Sequence, residues 1–181
     1  MYNTIFKMNT TIKGKNIYLR QLRRSDLKTI YSIFSNEKNT EFELFKPFES
    51  LDDAKAYMKM VHYKFLDKMG DYRIYAIIAN NNKMVGIIEA THNDVNDTWE
   101  LGYVLNYESR HNGYMTEAIK LIMIDIVQCK GAKGFIVETD KQNKENIEML
   151  GNIGFKFTNQ YKDVMDYKGN ARCSVTFALN I

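Results

Sequence analysis

The stretch TWELGYVLNYESRHNGYMTEAIKLIMIDIVQ, residues 98–128, decides how this chain is read. Trp99 to Leu105 is rich in aromatic and branched side chains and reads as a strand. Ser109-Arg110-His111-Asn112-Gly113-Tyr114 reads as a short loop. An apolar helix starts at about Asn112 or Gly113 and runs to about Gln128. Strand, tight loop and helix N-terminus in that order gather exposed backbone N–H groups and the positive end of a helix dipole, a setting that suits an anion.

Upstream, Ile17 to Leu22 alternates apolar and polar as a strand does, and Ser25 reads as the N-cap of a helix from Asp26 to about Ser35. Residues 36–49 are irregular, with the one proline, Pro47, and the apolar Phe42, Leu44, Phe45 and Phe48. Ser50 followed by Asp53 predicts a helix start. That helix runs to about Lys68 on a stripe of Ala54, Tyr57, Met58, Val61, Phe65 and Met69, closed by Gly70. Tyr72 to Ala79 and Met84 to Thr91 form a hairpin around an asparagine turn. Downstream come a strand at Phe135 to Thr139, a helix from Glu145 to Ile153 ended by Gly154, and strands at Phe155 to Tyr161 and Cys173 to Leu179. The order β-α-α-β-β-β-α-β-α-β-β predicts one mixed sheet with helices on both faces, an α/β (α+β) domain over residues 1–181. The parallel crossover falls at the long helix, and residues 1–15 read as a loosely ordered extension.

Composition narrows the function. The 181 residues suffice for one full core, and a net charge of +3, evenly spread, does not argue for nucleic acid. The best candidate for a membrane span, Ala118 to Val127, carries Lys120 and Asp125 and falls short of the about 20 residues needed. The N-terminus has no apolar signal region, and Cys129 and Cys173 form no motif, which together predict a cytoplasmic protein with reduced thiols. His62, His92 and His111 lack metal-ligand spacing, so no metal is expected. Neither a GxxxxGK[ST] loop nor a GxGxxG turn is present.

Arg110-His111-Asn112-Gly113-Tyr114-Met115 resembles the phosphate loop R/Q-x-x-G-x-G/A of the GCN5-related N-acetyltransferase (GNAT) family, with Met115 where glycine or alanine is usual. The run from Gly102 to Ala118 is similar to the ribosomal-protein (RimJ/RimL-type) branch, a bacterial type. A second motif, Asp140-Lys141-Gln142-Asn143, then Asn146, then Leu150 to Phe155, resembles the family's D-x-x-N-x-x-S-x-x-x-L-x-x-x-G-F. The resemblance implies the GNAT, or acyl-CoA N-acyltransferase, fold and an acetyl-CoA-dependent N-acetyltransferase, of the acyltransferase class of transferases. It also implies roles. N–H groups from His111, Asn112, Gly113, Tyr114, Met115 and Thr116 would cradle the pyrophosphate of acetyl-CoA, with Arg110 adding charge. Main-chain groups of Tyr103, Val104 and Leu105, freed by a splay between strands, would pair with the pantetheine arm. An N–H near Val104 or Leu105 would polarise the thioester carbonyl, and Asn143 would reach the arm's amide.

For catalysis, Glu100 is the candidate general base, on one strand face with Gly102 and Val104; a salt-bridging carboxylate is the plainer reading. The family's acidic tyrosine would fall at Leu150, and the branch's serine at Asn146, so Asn146 is an uncertain catalytic candidate and the proton donor is unplaced. The acceptor side is expected from the first two helices: Phe42, Phe45, Phe48, Tyr57 and Tyr63 as an apolar slot, and Glu41, Glu43, Glu49, Asp52 and Asp53 as acidic attraction for an amine. Asp52 and Asp53 also read as helix-start residues. The expected partner is a small-molecule or peptide amine, a protein N-terminus included, with no membrane or nucleic acid and with a homodimer possible. The alternative is a catalytically weak acyl-CoA-binding regulatory module, and a further one a structural domain without a cofactor.

Overall fold

The computed structural model describes residues 11–181 apart from position 69. Met69, expected to end the stripe of the second helix, and residues 1–10 of the expected extension lie outside the described residues. The strands are β1 (Thr11–Lys13), β2 (Ile17–Arg20), β3 (Tyr72–Ala79), β4 (Met84–Asn93), β5 (Thr98–Leu105), β6 (Gly134–Asp140), β7 (Lys156–Met165) and β8 (Ala171–Asn180). The helices are α1 (Leu27–Phe34), α2 (Leu51–Asp67), α3 (Tyr114–Lys130) and α4 (Lys144–Ile153).

The eight strands form one sheet in the order β1-β2-β3-β4-β5-β6-β8-β7. Among the described residues every pairing is antiparallel except β5 with β6. The parallel pair requires the α3 crossover, as the apolar run after Gly113 predicts. Ile119, Ile122 and Ile126 of α3 and Leu150 of α4 join Trp99, Leu101, Phe135 and Val137 in one core. Ile30 and Ile33 of α1 and Ala54 and Val61 of α2 join Ile74, Ala76, Ile87 and Val104 on the opposite face. Covered on both faces, β3 is buried at every position and shows no alternation.

Three local expectations change. Thr11–Lys13, placed in the loose extension, pairs with β2 as the first strand of the sheet. Ser25 is not an N-cap but the middle of a 3-10 turn, Arg24–Asp26. The turn is held by buried Asp26, which accepts from Arg20 Nη1 and Nη2 at 2.7 and 2.8 Å and from the Arg23 N–H at 2.7 Å. Finally, β7 extends to Met165 rather than Tyr161, because its outer part is a largely exposed arm whose polar pattern hides it. Ser50 and Asp53 do open α2, with the Ser50 N–H donating to Asp53 Oδ2 at 2.9 Å.

Candidate active site

β5 and β6 pair only through Trp99–Phe135 and Glu100–Ile136, then diverge. On its other edge β5 stays paired with β4 as far as Leu105. The divergence opens a fork in the middle of the sheet, and Leu101 to Leu105 line one wall of a cavity of about 660 Å³ within it. Val137 to Asp140 line the other. Parallel strands with main-chain groups facing an open seam accept an extended ligand as another strand.

The loop of residues 106–113 ends this cavity. His111 and Gly113 both have left-handed backbone, at φ 61° and 72°, and at Gly113 a side chain would meet no protein atom within 4 Å. Helix α3 begins at Tyr114, one or two residues later than the sequence suggests, with no side-chain cap. The N–H groups of its first turn, at Tyr114, Met115 and Thr116, therefore have no intrahelical acceptor. Glu117, also in the first turn, turns its carboxylate to Asn16 instead, accepting from the Asn16 N–H and Nδ2 at 3.0 Å each. The residues present fit a pyrophosphate: bare first-turn amides and an open glycine at the end of the cavity.

The expected loop residues divide. Arg110, His111, Gly113, Tyr114, Met115 and Thr116 line the cavity, as does Asn143. Asn112 does not; its Nδ2 donates to the carbonyls of Ser109 and Arg110 at 3.2 and 3.0 Å and shapes the turn. The Arg110 guanidinium is tethered, donating to the Lys38 carbonyl at 3.0 Å and lying over the Tyr107 ring. Met115 is buried in the α3 core, which is why a large side chain is tolerated there. Asn143 caps α4, its side chain accepting from the Asn146 N–H at 3.2 Å.

On the side where the sequence places the acceptor, Asn39 pins the loop between α1 and α2 to the cavity. Its Nδ2 donates to the Ile33 carbonyl at 2.8 Å, and its Oδ1 accepts from the Tyr107 N–H at 2.6 Å. Phe42 and Glu43 thereby line the cavity. Phe45, Phe48 and Tyr57 instead cluster with Phe34, and Tyr63 is exposed. Asp52 pairs with Lys55 and Glu49 with Lys46 at 2.7 Å each, while Asp53 closes the α2 capping box. Glu41 lines a second cavity of about 420 Å³, which shares Glu43 with the first and also holds Glu37, Asp166, Lys168 and Arg172.

Burial, then the Glu89 carboxylate, pushes the Glu43 carboxyl up to about 7. Glu100 lies in the still-paired part of β5, exposed and outside the cavity lining. Its carboxyl is also raised, by desolvation, Glu138 and Glu89, against Lys64 and Lys162. Glu138 escaped the sequence reading, although a charge in the strand GFIVETD is a visible signal.

Inside the fork, Tyr103 Oη donates to Asn146 Oδ1 at 2.8 Å, and Asn146 Nδ2 donates to Thr139 Oγ1 at 3.0 Å. Leu150 is fully buried and faces the core. Among the described residues no cluster of histidine, cysteine and carboxylates is placed to hold a metal. No helix there is long and apolar enough to cross a membrane.

In structural comparison the chain is similar to the ribosomal L7/L12 N-terminal-serine acetyltransferase of Salmonella typhimurium. The TM-score is 0.82 at 15% identity, over 94% of this chain and 99% of that one. It is similar to spermidine N-acetyltransferase from Vibrio cholerae in complex with CoA and spermine, at TM-score 0.77 and 15% identity, over 92% and 96%. It is also similar to the microcin C7 self-immunity acetyltransferase MccE in complex with acetyl-CoA and AMP, at 0.81 and 16%, over 93% and 94%. No curated protein matches the sequence. At these identities the neighbours speak for the mixed α/β fold alone. The family model described as "Acetyltransferase (GNAT) domain" matches residues 16–156, which span the sheet from β2 through the fork to α4. The chain therefore belongs to the GNAT family and is an acetyltransferase whose acyl donor is acetyl-CoA.

Proposed function

We propose that the protein transfers acetyl from acetyl-CoA directly to a primary amine carried on a cationic small molecule or at a peptide N-terminus, and that Glu43 accepts the amine's proton. The observation that carries this is the position of Glu43. It stands where the donor cavity meets the second cavity, and titrates at about 7. A base poised near neutrality combines a usable ionised fraction with enough basicity to take a proton. The second cavity is acidic, with Glu37, Glu41, Glu43 and Asp166 against Lys168 and Arg172, and Arg172 is already ion-paired with Asp140 and Asp166. That balance draws in a positively charged acceptor. The two classes of acceptor named for the structural neighbours, a ribosomal-protein N-terminus and spermidine, both have this charge.

The donor's pyrophosphate rests on the amides of residues 113–116 beside Arg110, and its arm follows Tyr103 to Leu105 in the fork with Asn143 opposite. An N–H near Val104 or Leu105 polarises the thioester carbonyl. Glu100, its carboxyl raised by desolvation and by Glu138 and Glu89, is the competing base. With two unpaired cysteines, Cys129 and Cys173, we place the protein in the cytoplasm, in the RimJ/RimL-like branch, with no nucleic-acid partner and with a homodimer as its assembly.

The test is thiol release from acetyl-CoA over amines and N-terminal peptides, with mass spectrometry of the products. Acetylation confined to cationic acceptors is expected; a preference for neutral amines, or silence with tight donor binding, counts against the reading. Glu43→Gln should lower kcat at neutral pH by about 10²-fold with donor affinity intact. In the wild-type enzyme kcat/KM should rise with pH through about 7. A large loss in Glu100→Gln with none in Glu43→Gln would move the base to Glu100.

A further inference from the structure

We propose that the hydroxyl of Tyr103 supplies the proton taken by the departing CoA sulfur. This rests on the acetyl-CoA reading of the fork. Tyr103 is the β5 residue of the open seam whose side chain bridges the divergence, reaching from β5 to Asn146 at the start of α4. Both Tyr103 and Asn146 line the cavity. The seam closes at Glu100. A ligand anchored on the α3 amides and laid along β5 runs toward that closed end and brings its thioester beside that hydroxyl.

The network is oriented for the task. Asn146 Nδ2 donates to Thr139 Oγ1, so Asn146 presents its oxygen to Tyr103. That acceptor holds the phenol across the gap and leaves its hydrogen free to turn from Oδ1 to a sulfur nearby. Burial raises the phenol's pKa against the lowering effect of the Asn146 bond, so the proton is present throughout the neutral range.

The step balances. The amine nitrogen's lone pair forms the C–N bond, the C–S bond breaks, and its electron pair goes to sulfur. The sulfur takes the Tyr103 hydroxyl proton and leaves as the thiol. The nitrogen's proton goes to the carboxylate base, and the phenolate recovers a proton from that base through solvent. Asn146 acts as a positioning residue.

Two measurements on Tyr103→Phe, which keeps the ring, test the assignment. The kcat should fall by about 10²-fold with KM for acetyl-CoA nearly unchanged. Independently of turnover, free CoA bound to each protein is titrated by its thiolate ultraviolet absorbance. The bound thiol should ionise at lower pH in the wild-type protein than in Tyr103→Phe, because only the former has a donor for the thiolate. A kcat within twofold of wild type, superimposable thiol titrations, or loss of CoA affinity matching the loss of rate would each overturn it. If the wild-type protein itself binds no CoA, the reading of the fork fails; if it binds CoA and the two titrations coincide, only Tyr103 fails.

Discussion

Glu43 is asked to carry charge in a place that resists it. Its carboxyl titrates at about 7 rather than 4.5, so the unfolded chain ionises first. Below the unfolded value both states are protonated and the residue is neutral to stability. Between 4.5 and 7 the folded state holds an extra proton, and stability is lost as pH rises. Above 7 the whole penalty stands. Glu43→Gln should therefore be more stable than wild type at pH 8 by on the order of 2–3 kcal/mol, with the gap closing towards pH 4. Denaturant melts at the two pH values check this, and a constant gap would deny the shift. A variant more stable and less active marks a residue kept for chemistry. Nothing local in the sequence singles out Glu43 among the acidic residues of segment 41–53. Its place depends on Asn39, whose hydrogen bonds reach the nearby Ile33 and, across 68 positions of chain, Tyr107.

The loop between β5 and α3 was legible because its demands are local. A left-handed residue ahead of a helix calls for glycine, and Gly113 has φ 72°. Substitution by valine costs about 1–2 kcal/mol for the backbone alone, and the new side chain points into open space, the space proposed for the pyrophosphate. Gly113→Val should therefore lose acetyl-CoA affinity by at least tenfold by calorimetry while remaining folded; undiminished affinity would mean the anion rests elsewhere. The second motif was legible for the same reason, since Asn143 both caps α4 and lines the cavity. The reach of Tyr103 to Asn146 was not, because strand alternation assigns a face but not the angle at which two parallel strands part. Nor was β1, three residues long and recognisable only by its partner.

Across the molecule, Arg172 ties the β7–β8 arm to the segment between α1 and α2. It donates to the Glu41 carbonyl at 2.8 Å and lies 3.5 Å from both Asp140 and Asp166, two buried carboxylates. Arg172→Ala would remove the cation facing those carboxylates and should lower the melting temperature. It would also free one wall of the second cavity, so the acceptor's KM should rise more than that of acetyl-CoA. A melting curve and initial rates check both parts; equal changes in the two KM values would confine Arg172 to stability.

The fork in the sheet sets a condition on turnover. With the donor's arm in the fork, as proposed, its walls meet a group that is the same before and after the acetyl leaves. Hydrogen bonds made there hold substrate and spent carrier alike, so they do not lower the barrier between them. The seam is thus re-zipped by CoA as readily as by acetyl-CoA. Each cycle ends with the gap still filled, and accumulated product competes for it.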